Sequence, residues 1–201
     1  MSISENLHPL RKLEAAVDKV FVERWSPRAF EPNFEISESD LRVILEAARW
    51  APSSFNEQPW RIHVAQRNSP AFKGFKDCLV EANQVWAKDS SVLGFILGKK
   101  NFSKTAQENL TFQFDCGSAW MSLTLQARML DLYTHGMGGI DREKVIKTLK
   151  ANPEEEIVVA GFALGKIASA DRLPEDLKEL ESPSPRKPQS EIFKIHRDAE
   201  D

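Results

Sequence analysis

The stretch Val92-Leu93-Gly94-Phe95-Ile96-Leu97-Gly98 carries no polar side chain, and it constrains the fold more than any other part of the chain. Its length is that of a strand, and a strand without a polar face must be covered on both sides. EIVVAGFALGK, residues 156–166, is the strongest strand signal in the sequence. RIHVAQR, residues 61–67, adds a short strand with Ile62 and Val64 on one face.

Helical patterns surround these strands. About the first 20 residues read as a helix, with Leu10, Leu13, Ala16, Val17 and Val20 at helical spacing. Ser37 and Asp40 form a capping box for a second helix, with a buried stripe of Leu41, Ile44, Leu45 and Ala48 and a stop at Ala51-Pro52. Ala71 to Ala82 is expected to be helical. A long helix is expected from Gln107 to Tyr133, apolar on more than one face through Phe112, Ala119, Trp120, Leu123, Ala127 and Leu130. Such a helix is buried centrally or shared with a partner chain. His135-Gly136 ends it. Gly138-Gly139 then turns into a short helix capped by Asp141, with Val145, Ile146 and Leu149 inward, closed by Asn152-Pro153. Strands and helices alternate irregularly, which points to an α+β or three-layer α/β domain built around one sheet. The tail differs: SPSPRKPQS (182–190) has three prolines and no apolar residue, so it is expected to be extended rather than helical, ahead of an apolar clip, Ile192-Phe193-Lys194-Ile195.

Composition removes whole classes of function. With 27 Lys+Arg against 30 Asp+Glu and a formal net charge of −3, the chain has no basic footprint for nucleic acid. It has no apolar run of ~18 residues for a membrane span. Its N-terminus lacks the apolar stretch of a signal peptide, and Cys78 and Cys116 are isolated thiols, so a cytoplasmic location is expected. No GxGxxG, GxxxxGK[ST], HExxH or GxSxG motif is present, and the four histidines are scattered. Neither a metal site nor a catalytic side chain is expected.

Four segments could hold a ligand. Arg24-Trp25-Ser26-Pro27-Arg28 sets two guanidinium groups around a hydroxyl, a donor set that matches phosphate, although solvated surface arginines give the same pattern. Pro52-Ser53-Ser54-Phe55-Asn56-Glu57-Gln58-Pro59-Trp60 brackets hydroxyl and amide groups between prolines; these suit the edge of a flat heterocycle, or an ordinary turn. His135-Gly136-Met137-Gly138-Gly139 lets backbone N–H groups approach a ligand, or simply caps a helix. Arg186-Lys187 could reach an anion or serve only as solubilising charge.

Taken in order, RWSPRAF, APSSFNEQPWRIHV, MGGID, GFALGK and PRKPQSEI resemble the nitroreductase-like FMN-dependent oxidoreductase family. The resemblance runs over residues 9–195, read as a single FMN-binding domain whose segment 182–195 crosses to a partner subunit. It implies an α+β three-layer α-β-α sandwich with a mostly antiparallel central sheet, in a homodimer with non-covalent FMN at the interface. Arg24, Ser26, Arg28 and Arg186 would hold the FMN phosphate and ribityl chain, with Lys187 beside them. Pro52, Ser53, Ser54, Asn56 and Gln58 would lie along the flavin from the neighbouring subunit, and Met137, Gly138 and Gly139 would pass the redox-active edge of the ring. Asn83 and Trp86 fall near the flavin or the pocket mouth. NAD(P)H would be the electron donor, and nitroaromatics, quinones or similar small molecules the acceptors, in a ping-pong cycle. The alternative is a flavin-binding protein with oxygen-dependent or dehalogenating chemistry, or with little turnover.

Overall fold

A computed structural model describes residues 8–196. Residues 1–7 and 197–201, parts of the expected first helix and of the tail, lie outside the described residues. The elements run α1 (Lys19–Glu23), α2 (Glu38–Arg49), β1 (Trp60–Gln66), α3 (Ala71–Asp77), α4 (Glu81–Ala87), β2 (Val92–Lys99), α5 (Phe112–Met129), β3 (Tyr133–Met137), α6 (Arg142–Leu149), β4 (Glu156–Gly165), α7 (Glu175–Lys178) and α8 (Gln189–Ile192).

The four strands form one antiparallel sheet in the order β1-β2-β4-β3. β2 is central and buried on both faces from Val92 to Gly98, as its composition requires. Its even-numbered face, Val92 and Ile96, packs with Ile44 and Ala48 of α2 and with Ala119, Leu123 and Ala127 of α5. Leu93, Phe95 and Leu97 face the other way, against Phe72 and Phe75 of α3, Trp86 of α4 and Val145 of α6. The result is the α-β-α sandwich. Gly94 is required by packing: a Cβ there would lie 2.2 Å from Cζ of Phe162, whose ring fills the space above β2. A bulge between Ile96 and Leu97 skips Val159 on β4.

Three local expectations are corrected. Residues 8–18 are not helical; α1 begins only at Lys19, where the Asp18 carboxylate accepts from the Val20 N–H. The expected helix over Ala71–Ala82 is two helices, because Leu79 leaves the helical path to bridge Ile140. The long helix stops at Met129, and Tyr133–Met137 is a strand. Asp131 adopts a left-handed φ of 59°, and the Leu132 N–H donates back to the Ala127 carbonyl. This is a C-terminal cap in which aspartate stands where glycine is usual. The tail holds one short helix, α8, which takes in Gln189 and Ser190 against the expectation; Pro183 to Pro188 lie outside any helix or strand, with Pro188 in an extended conformation.

Candidate flavin site

Segment 29–31 runs beside the residues that follow β4. The Glu31 N–H donates to the Lys166 carbonyl, the Ala168 N–H donates to the Ala29 carbonyl, and Phe30 bridges Ile167. This pairing anchors the Arg24–Arg28 segment on the outer edge of β3. Two more contacts fix it. Trp25 meets Tyr133 of β3 edge-on at 6.3 Å. The Glu181 carboxylate accepts the N–H groups of Arg28 and Ala29 at 2.8 Å each. One acidic side chain at the start of the tail thus serves the backbone of the arginine segment and leaves its guanidinium groups unpaired.

A cavity of about 250 Å³ opens here, lined by Arg11, Arg24, Ser26, Arg28, His135 and Arg186, with Ser182 and Ser184 at its tail side. Among the described residues none of these four arginines forms an ion pair. Burial, reinforced by the positive charge of Arg186, pulls Arg24 below the usual arginine range. Arginine remains charged even so, and like charges held together in a partly dry cleft favour any anion that enters. His135 donates from Nδ1 to the Pro27 carbonyl at 2.9 Å, since a carbonyl can only accept. Burial pushes its pKa down, with Arg28 adding to the effect, while the Pro27 carbonyl opposes it. A neutral imidazole therefore lies at the floor of a cationic cavity. The donor set suits a phosphate monoester dianion: forked guanidinium groups, a serine hydroxyl and no competing carboxylate.

The predicted residues do not all meet here. Lys187 points away, 75% exposed in its side chain and ion-paired with Glu191 at 3.4 Å. Met137 is buried in the core, so only backbone from 136–139 can face a ligand. Asn83 supports that backbone by donating to the Gly139 carbonyl at 3.0 Å. Trp86 is buried as well, stacked on Phe30 and packed at a tilt against His135, and is not among the residues lining the cavity.

Residues 52–58 lie at the opposite corner of the sheet. They precede β1, whereas His135 is on β3, and β1 and β3 are the two edges. His135 aligns through Ala163 and Leu93 with Ala65. The separation is therefore about 14 Å across three strand spacings and about 17 Å along β1 back to Trp60. The loop is held in an unusual shape: Phe55, Asn56 and Gln58 all have φ between 50° and 56°. The Gln58 N–H donates to Ser53 Oγ at 2.9 Å, and the Ser54 N–H donates to Asp115 at the start of α5. Phe55 is left 92% exposed.

Sequence reasoning missed Arg11, Ser182 and Ser184. No local pattern marks them; the fold alone brings the two terminal segments to one place. Among the described residues no helix is long and apolar enough to cross a membrane.

Comparison with known proteins supplies a context. Residues 21–85 match the model of the nitroreductase family. A Bacillus subtilis protein assigned as an NAD(P)H nitroreductase is 30% identical over 192 residues, spanning 76% of this chain and 91% of that protein. A CLA biosynthesis enone reductase from Lactiplantibacillus plantarum is 29% identical, over 74% of this chain and 84% of its own length. The crystal structure of an oxidoreductase containing FMN superposes with a TM-score of 0.89 at 38% identity, covering 96% of this chain and 98% of that one.

Proposed function

Since the chain belongs to the nitroreductase family, we propose that it is an FMN-dependent oxidoreductase. It draws electrons from NAD(P)H and passes them to a small nitroaromatic, quinone or enone-like acceptor in the cytoplasm. The observation that carries this reading is the carboxylate-free cluster of Arg24, Arg28 and Arg186 around Ser26, a receptor for the phosphate that distinguishes FMN from riboflavin. When bound there, FMN would supply the redox chemistry that links the nicotinamide donor to the acceptor.

Everything else falls to the protein. Arg24, Ser26, Arg28 and Arg186 bind the phosphate. The backbone of Gly138 and Gly139, supported by Asn83, presents N–H groups to one edge of the ring. No side chain in the cavity is needed as a general acid or base, so donor and acceptor occupy one space in turn, a ping-pong order.

One chain cannot complete this site, because residues 52–58 sit at the far corner of its own sheet. A homodimer that lays Pro52, Ser53, Ser54, Asn56 and Gln58 of one subunit against the arginine cavity of the other resolves the geometry. Two further features support it. Among the described residues helix α5 leaves Phe114 and Met129 more than half exposed, and the tail does the same with Ile192, Phe193 and Ile195. The buried free thiols Cys78 and Cys116 fit a reducing compartment.

The test is direct. Protein reconstituted with FMN should hold one flavin per chain after dialysis, and its yellow colour should bleach when NADH or NADPH is added under nitrogen. Restoration of the colour by a nitroaromatic or a quinone then shows turnover. Protein that retains no flavin overturns the reading.

A further inference from the structure

Arg11 belongs to none of the segments that carry the family resemblance. It sits on the irregular stretch ahead of α1, held in a turn by its own N–H donating to the His8 carbonyl at 2.8 Å. Only 9% of it is exposed. Its Nε is buried without a hydrogen-bond partner among the described residues, yet the side chain lines the arginine cavity. The groups that face it are Arg186 and Arg24, whose charges add to burial in pulling Arg11 below the usual arginine range.

A buried, charged donor without an acceptor is costly, and a second and third guanidinium beside it make it costlier. Surface residues avoid such an arrangement by turning to solvent, but the Arg11 side chain is packed inward. Arg11 and Arg186 also lie on the two segments that flank the domain. Among the described residues the Gln189 N–H donates to Glu14 at 3.1 Å, a bond that joins those segments. An anion between the guanidinium groups would satisfy the orphaned Nε and turn mutual repulsion into a bridge.

Resting on the reading that this cavity takes the FMN phosphate, we propose that Arg11 is a further phosphate ligand, delivered by the N-terminal segment, so that flavin capture fastens residues 8–18 and the tail to each other across the cofactor. The clamp is specific to a phosphate monoester. Riboflavin offers it nothing, and a diester would present less charge to it.

The test uses apoprotein of the full chain, with FMN and riboflavin as paired probes. Arg11→Ala should weaken FMN roughly ten- to a hundred-fold, the scale of losing a hydrogen bond to a charged group, and leave riboflavin affinity unchanged. Arg11→Lys should retain part of the preference. In the wild type, FMN but not riboflavin should slow amide exchange across residues 9–17. An Arg11→Ala protein that binds FMN as tightly as wild type, or that loses FMN and riboflavin equally, overturns the proposal and leaves Arg11 a packing residue. Should Arg11→Ala fail to fold, Arg11→Gln and the wild-type exchange decide the matter in the same way. A different result, wild-type protein that binds riboflavin as well as FMN, would instead sink the reading of the cavity itself.

Discussion

His135 shows how one side chain can tie the cavity to the stability of the domain. Its pKa is lowered by burial beneath the arginine segment, from an ordinary value of 6.5. As pH falls through 6.5 the unfolded chain takes up a proton that the native state resists. The unfolded state then binds more protons, and stability declines with falling pH, by at most about 1.4 kcal/mol per pH unit from this group. Above pH 7.5 both states are neutral and the effect vanishes. His135→Gln can still donate to the Pro27 carbonyl but cannot titrate, so urea midpoints measured between pH 7.5 and 5 should fall less steeply for it than for wild type; parallel curves would refute the assignment. The residue scale is also where the sequence was least informative. Arg24, Ser26 and Arg28 stand out because they are close in sequence, and their donor chemistry is plain. Arg11 is one basic residue among several near the N-terminus, and it is distinguished by its burial and by the cavity it shares with Arg186.

At the scale of elements, β2 was legible because its composition leaves no alternative to burial on both faces. α2 was legible because Ser37 and the apolar stripe agree. β3 was not. Tyr133–Met137 lacks the run of branched residues that marks β2 and β4, and the stop signal before it is Asp131 in a left-handed conformation rather than a glycine. β3 exists because β4 needs a partner on that side, which no local window reveals. β2 itself yields a prediction. Gly94→Ala would drive a methyl group into the Phe162 ring, and overpacking of this kind costs about 1–3 kcal/mol. Phe162→Leu alone leaves a cavity, yet in the Gly94→Ala background it should relieve the clash, so the two changes should be strongly non-additive in urea denaturation. Additive losses would mean that the ring moves aside freely.

For the whole molecule, the question is what the tail holds. Glu181 grips the backbone of Arg28 and Ala29, so a cut that removes it disturbs the arginine segment for local reasons. Truncation after Ser182 keeps that grip and removes Ser184 and Arg186 from the cavity, the Gln189–Glu14 bond, and the exposed Ile192, Phe193 and Ile195. It should lower flavin retention and shift the protein toward monomer together, read by gel filtration and by absorbance at low micromolar concentration. A truncated protein that remains a fully flavinated dimer would show that the tail crosses to nothing. The arginine cavity and residues 52–58 lie at opposite corners of the sheet, and under the proposed dimer that placement has a last consequence, which is genetic. Two defective alleles of this gene should rescue each other. In the proposed dimer, a chain with Arg24→Ala and a chain with Asn56→Ala should each form homodimers impaired at both sites, whereas a twofold heterodimer of the two would gather both lesions into one pocket and leave the other whole. Coexpression of the two variants should therefore restore roughly a quarter of the wild-type sites, given random pairing, whereas two lesions at the same corner should never complement.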